Sequence, residues 1–491
     1  MAPRRKFSLG VAVVLCVLMG LTPFVVNALT NGQAAAVVLG ERDFTHSNGG
    51  TNATRMSFPE GVASDSSGNI WVVESNNNRV LEFLSGTGFT NGQAAAVVLG
   101  QPDFTHIAPA TTATGLNDPT GVAVDPSGNV WVADYGNNRV VEYARGTGFT
   151  NGQAAAVVLG ERDFTHYGGG RNATSMTRPT GVGTDSSGNV WVTDGGNNRI
   201  LEFLKGTGFT NGQAAAVVLG QADFTHAAPA LSQTGVYLPW GVAVDPSGNV
   251  WVTDNGNSRA LEFLKGTGFT NGQAAAVVLG QPDFTHGTYA TTATGMYSPE
   301  GIGVDSSGNV WVSDEVNNRV LEYVVGAGFT NGQAAALVLG QPSFTLGMPA
   351  TTAAGMAEPV GVNVDPSGNV WVADLGNNRV LEFAGATTTT TTTTSSSTTS
   401  TTSSSTSASV TTAKLVCPST GSGTLMPKGA TFKDASGNVW LAPSGSGTGG
   451  YWSSYFFPGA QGVVPAPMVQ GWGGVYGAYG GQSGWIVTFY C

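Results

Sequence analysis

Residues 121–166 read GVAVDPSGNVWVADYGNNRVVEYARGTGFTNGQAAAVVLGERDFTH, and the recurrence of this word decides the fold. Near-identical text returns every 60 residues, with units beginning at Gly61, Gly121, Gly181, Gly241, Gly301 and Gly361. Asp65, Asp125, Asp185, Asp245, Asp305 and Asp365 share one phase. Trp71, Trp131, Trp191, Trp251, Trp311 and Trp371 share another, as do Arg79, Arg139, Arg199, Arg259, Arg319 and Arg379. A fixed period of this length marks a repeat architecture.

Each unit holds four strand-like runs. In the second unit they are Gly121 to Asp125, Asn129 to Ala133, Arg139 to Tyr143 and Ala154 to Leu159. Asp125-Pro126-Ser127-Gly128 separates the first two as a tight turn, with glycine where positive φ costs little. Four short antiparallel strands per repeat predict a propeller blade. The ends are out of step in an informative way. Ala34 to Leu39 is a fourth-strand copy ahead of the first full unit, and the last unit stops after its third strand, at Leu381-Glu382-Phe383. An N-terminal outer strand that completes the sixth blade would leave no open edge. The expectation is therefore an all-β, six-bladed β-propeller closed by an N-terminal outer strand, rather than a linear stack.

The segment Pro119 to Tyr143 resembles the NHL repeat, P-x-G-V-A-V-D-x-x-G-N-V-W-V-A-D-x-x-N-N-R-V-x-E-F, and the resemblance covers about residues 30–385. It implies that the Gly121-type strand lines a central channel and the Ala154-type strand is outermost. Glu74 stands where the repeat has Asp, and Ser258 and Ala260 depart from it in the fourth copy. The repeats differ chiefly in the connection from outer to next inner strand, such as Gln101 to Thr120. Connections of this kind cross one face of the disc and are where function concentrates.

Only 10% of the 491 residues are charged, against about 25% in ordinary soluble proteins. The net charge is −11. Some NHL propellers bind RNA through a basic face, but an acidic surface repels phosphate, so no nucleic-acid partner is expected. Arg4-Arg5-Lys6, the apolar run Phe7 to Val26 and Val26-Asn27-Ala28 read residues 1–28 as a signal peptide, with an uncleaved membrane anchor as the alternative. Leu15 before Cys16 argues against lipidation. Residues 29–386 form the propeller. Residues 387–412 are a Thr/Ser-rich linker. Residues 413–491 are a small β-rich domain in which Lys433 to Trp440 reads as a hairpin. Cys417 and Cys491 bracket that domain and are expected to form a disulfide.

Every histidine lies in one word, Asp-Phe-Thr-His. The pairs are Asp43 with His46, Asp103 with His106, Asp163 with His166, Asp223 with His226, and Asp283 with His286. A carboxylate-oriented imidazole could serve a metal or acid/base chemistry. The structural reading, a pair that pins the start of a loop, is preferred, because five equivalent catalytic sites would be odd. The Asp125-type residues read as turn caps rather than calcium ligands, the Asp134 and Arg139 types as braces between blades, and the Trp131 type as inter-blade core. Asn52 and Asn172 head sequons for glycosylation.

The channel strands carry no His, Cys or Tyr, and no catalytic residue or cofactor is assigned. The chain is expected to be a secreted or surface-attached monomer. It would bind protein or carbohydrate on the loop face and touch membrane only through an uncleaved N-terminus. Two alternatives stand beside this: a metal-dependent lyase or hydrolase of the six-bladed class, and a structural cell-envelope component.

Overall fold

The computed structural model describes residues 29–385 and, beyond them, the backbone of six strands between residues 424 and 490. The segment read as a signal peptide, the Thr/Ser stretch, Cys16, Cys417 and Cys491 lie outside the described residues.

Residues 29–385 form six four-stranded antiparallel sheets. The second blade runs Pro119–Val124, Val130–Asp134, Arg139–Tyr143 and Val157–Leu159, from innermost to outermost. Its inner strand begins earlier than the sequence pattern suggests. Pro119 pairs with Asp134, the register then shifts, and Gly121 pairs with Ala133. Thr120 is thus the extra residue of a bulge, a device that re-aims a side chain. The outer strand is shorter than expected. The Ala155 N–H leaves the ladder and donates to Ala113 O at 2.7 Å.

Closure follows the predicted offset. Val37–Leu39 joins the sixth sheet, with Val37, Val38 and Leu39 opposite Glu382, Leu381 and Val380. The segment before it is anchored as well: Asn31 Oδ1 accepts from the Val338 N–H at 3.0 Å. The edge that an open ring would expose is therefore paired.

Between blades the tryptophans form the core. Trp131 is fully buried among Val182, Val190 and Phe203 of the next blade, and its ring meets Phe209 edge-on with centroids 4.7 Å apart. The contact recurs around the disc and crosses the seam as Phe89 with Trp371, again at 4.7 Å. Trp311 instead packs in a cluster with Leu29.

The arginines do something different from the expected blade-to-blade bracing. Arg139 is fully buried. Its Nε donates to Asp134 Oδ2 at 2.7 Å. Nη2 donates to Thr112 O and Gly115 O, and Nη1 to Phe164 O. One guanidinium therefore fastens the long loop entering its blade and the long loop leaving it. All the partners accept, so a charge that would be costly alone is satisfied. Asp125 caps its turn as expected: Oδ1 accepts from Ser127 N–H at 2.8 Å and Asn129 N–H at 2.9 Å.

In the C-terminal region Thr424–Leu425, Thr431–Asp434, Val439–Leu441, Trp452–Pro458, Gly474–Tyr479 and Gln482–Tyr490 pair into one antiparallel sheet. Lys433 and Val439 face each other in a hairpin within it.

Candidate functional site

The inner strands converge on the axis almost backbone to backbone, and glycine permits it. A Cβ on Gly361 would lie 2.6 Å from Glu60 O, and one on Gly241 2.6 Å from Glu300 O. The same crowding recurs at Gly61, Gly121, Gly181 and Gly301. What remains on the axis is a cavity of about 60 Å³. Drug-sized ligand pockets are several times larger, roughly 300–1,000 Å³. A ligand of that size must sit at the mouth, with at most one small group reaching inside.

Three variable positions per blade lie at the paired ends of the first and second strands, and residues of the first of them line the cavity. The first is the bulge residue before each axial glycine: Glu60, Thr120, Thr180, Trp240, Glu300 and Val360. The second is the residue before the strand-opening proline: Phe58, Asp118, Arg178, Leu238, Ser298 and Glu358. All six of these hold φ between 48° and 54°, a left-handed conformation costing roughly 1 kcal/mol in a non-glycine residue. An asparagine of the preceding blade secures five of the six, Ser298 being the exception because Ser258 stands in the asparagine's place. Asn78 Oδ1 accepts from the Asp118 N–H at 2.7 Å, and Asn138 Oδ1 from the Arg178 N–H at 2.8 Å. The third is the residue following each second strand: Ser75, Tyr135, Gly195, Asn255, Glu315 and Leu375.

These positions meet between neighbouring blades. The Arg178 guanidinium lies over the Tyr135 ring, 5.8 Å from its centroid. Beside strands that repeat closely, the second and third positions never use a residue twice. The mouth is chemically lopsided as a result.

Its acidic side is formed by Glu60, Glu300, Glu315 and Glu358. Glu60 lines the axial cavity, and its Oε2 is shielded from solvent without a hydrogen-bond partner. Burial pushes its carboxyl up to about 7, and nearby Asp118 adds to the effect. Burial raises Glu300 well above the usual range, reinforced by Glu315, Glu60 and Glu358. Burial and Glu358 raise Glu315 to about 7. Among the described residues none of these four carboxylates has a basic partner in an ion pair.

An aromatic side lies at blades four and five. Trp240 lines the cavity. Tyr237 packs across Gly256. Tyr289 and Tyr297 stack with centroids 4.4 Å apart while remaining 67% and 36% exposed.

The Asp-Phe-Thr-His words form local knots. His166 Nδ1 lies 2.6 Å from Asp163 Oδ1, His226 2.8 Å from Asp223, His286 2.7 Å from Asp283, and His106 2.9 Å from Asp103. His46 and Asp43 are paired in the same way. Each aspartate also accepts from the threonine between them, as Asp163 does from the Thr165 N–H and hydroxyl. These bonds, the histidine's first, hold Asp163 well below the usual carboxylate range. Arg42 and Arg162 reach the far nitrogens of His46 and His166. The pairs stay in their own loops. Among the described residues no group of three or more His, Cys, Asp or Glu side chains could hold a metal ion. Asn52 and Asn172 are exposed in equivalent loops, each accepting from the threonine two residues on.

Glu60, Trp240 and Glu300 are not of the residue types, His, Cys and Tyr, by which the sequence reading assigns chemistry to the channel. The available signal was departure from the repeat at a single position beside an unvarying glycine.

The NHL repeat model matches residues 56–83, 116–143, 176–203, 237–259, 296–323 and 356–383. The chain is an NHL-repeat β-propeller. This NHL propeller chain is similar to Teneurin-3 of Mus musculus, at 23% identity over 392 residues. That match covers 73% of the chain and 13% of Teneurin-3, so the propeller chain spans a small part of that relative. Among solved structures, a streptogramin B lyase is 14% identical with a TM-score of 0.39, covering 67% of this chain and 94% of the lyase. A gluconolactonase from Xanthomonas campestris is 15% identical with a TM-score of 0.40, covering 74% and 99%. No helix among the described residues is long and apolar enough to cross a membrane.

Proposed function

We propose that this NHL propeller is a non-catalytic recognition module that takes a ligand at the axial mouth on its long-loop face. One observation carries the reading: no residue recurs at the positions before the strand-opening proline and after the second strand, while the strands around them repeat closely. A purely structural disc has no need of six different residues in a strained left-handed position, whereas a binding surface does. The aromatic side, with its stacked and exposed tyrosines, suits a protein or carbohydrate ligand. The basic and apolar N-terminal run supports export, and the Thr/Ser stretch supports display on a spacer.

A lyase or hydrolase has less in its favour. The histidine pairs are dispersed over the loops, and the axial cavity is too small to enclose a substrate. The test is an array of glycans, peptides and cell-wall fragments probed with the purified protein, followed by substitution of Tyr237, Tyr297 and Trp240 by alanine. Binding lost on substitution supports the reading. Turnover of any array component, with no binding that depends on the mouth residues, sinks it.

A further inference from the structure

We infer that the axial mouth receives an organic cation, the ammonium or guanidinium group of a lysyl or arginyl side chain on a protein ligand, beside Glu60 and Trp240 on the cavity wall. The inference rests on the recognition reading above and names the chemistry of its ligand.

Charge balance is the first argument. The mouth positions hold five carboxylates, Glu60, Asp118, Glu300, Glu315 and Glu358, against one guanidinium. That guanidinium, on Arg178, is occupied by the face of Tyr135 on the second and third blades. The glutamates are left without a basic partner among the described residues, and Glu60 Oε2 lacks even a hydrogen bond. A carboxylate oxygen shielded from water with no partner, as Glu60 Oε2 is, is unfavourable unless something neutralises it.

Geometry selects the kind of cation. The carboxylates do not gather into a group of three that could hold a metal ion, so a divalent ion finds no compact cage. A side-chain cation spans more widely separated acceptors, and guanidinium does so with fixed, forked donors. The cavity of about 60 Å³ is on the scale of a small head group. Trp240 is on the cavity wall, and indole is the side chain whose face cations favour most. Across the axis the threonine hydroxyls are committed elsewhere: Thr120 donates to Thr180 O at 2.7 Å and Thr180 to Pro239 O at 2.9 Å. Those hydroxyl protons are therefore spent on the frame and are not directed at the ligand, and the unpaired carboxylate of the cavity wall is that of Glu60.

Binding should be linked to protons. Glu60 is faced by Asp118 and Ser75, and Glu300 by Glu315, Glu358 and Glu60. With no cation present these surroundings favour the neutral acids. A bound cation favours the ionised form, so association releases protons and tightens as pH rises from 6 to 8.

The experiment uses the full chain and a fluorescent alanine–lysine oligopeptide, read by polarisation, beside the same peptide acetylated on every lysine. The lysyl peptide should bind at least tenfold more tightly, more tightly at pH 8 than at pH 6, and more weakly in high salt. The E60Q/E300Q double variant, near-isosteric and checked by thermal melting, should abolish the preference. Equal binding of both peptides to the unaltered protein overturns the inference without relying on any variant, as does a preference that survives in E60Q/E300Q. Neutral glycans bound at the mouth, with no preference for the lysyl peptide, would overturn the cation while leaving the recognition reading intact. Turnover without mouth-dependent binding would overturn both.

Discussion

Val38 lies opposite Leu381, joining the first described strand of the chain to the third strand of its last repeat. Both are fully buried. The pairing closes the ring noncovalently, so its strength sets whether the sixth blade is complete. Val38→Asp places a carboxylate in that seam and should destabilise the propeller by about 3 kcal/mol or more. A guanidinium unfolding curve measures it. A midpoint unchanged from the parent would show that the seam does not matter.

The axial glycines should tolerate no side chain. A Cβ on Gly361 would lie 2.6 Å from Glu60 O and 2.8 Å from Val62 N, both backbone atoms that cannot swing away. Gly361→Ala is expected to cost about 2 kcal/mol. Gly168 has open space around its missing Cβ and no positive φ, so Gly168→Ala should stay within about 0.5 kcal/mol of the parent. Comparing the two by denaturation separates crowding from a general effect of losing glycine.

Ser258 is the weak copy of an asparagine. It holds φ 52°, a conformation asparagine tolerates better. In the preceding blade Asn198 Oδ1 accepts from the Leu238 N–H at 2.8 Å, and its Nδ2 donates to Ala227 O at 3.0 Å. Ser258→Asn should recreate both bonds, to the Ser298 N–H and Gly287 O, and stabilise by about 1 kcal/mol. A melting temperature that falls would refute it.

Six glutamates make stability depend on pH. Burial raises Glu82, Glu142, Glu202, Glu262, Glu322 and Glu382 to about 7 from the ordinary 4.5, and the turn aspartates Asp65, Asp125, Asp185, Asp245, Asp305 and Asp365 add repulsion. Arg145, Lys205 and Lys265 offset this for the first three. Between pH 4.5 and 7 the folded chain holds protons that the unfolded chain has released. Stability is therefore highest near the lower value and declines as pH rises through 7. Melts at pH 5 and pH 8 should show the higher midpoint at pH 5. Glu262→Gln, which removes a group facing Asp245 that no neighbouring cation offsets, should shrink the difference.

The frame was legible because it is written locally. The Asp125 turn, the alternating strands and the frame-shifted ends each need only neighbouring residues to be read, and together they imply closure. The mouth was not legible in the same way. Tyr135 and Arg178 belong to successive repeats, and only blade-to-blade packing brings them together. Glu60 and Trp240 sit at a bulge, which breaks the strand alternation by which a side chain's direction is inferred. The role of Arg139 was misjudged for a related reason: its partners Thr112, Gly115 and Phe164 lie in irregular loops, where pattern says nothing about carbonyl direction.

The asparagine clasp on the strained residue before five of the six strand-opening prolines acts through the main chain alone. Phenylalanine, aspartate, arginine, leucine and glutamate are all held by it. Copying a unit therefore copies the support intact and leaves the supported side chain free to drift. A new specificity can arise by point change there, with no renegotiation of the fold.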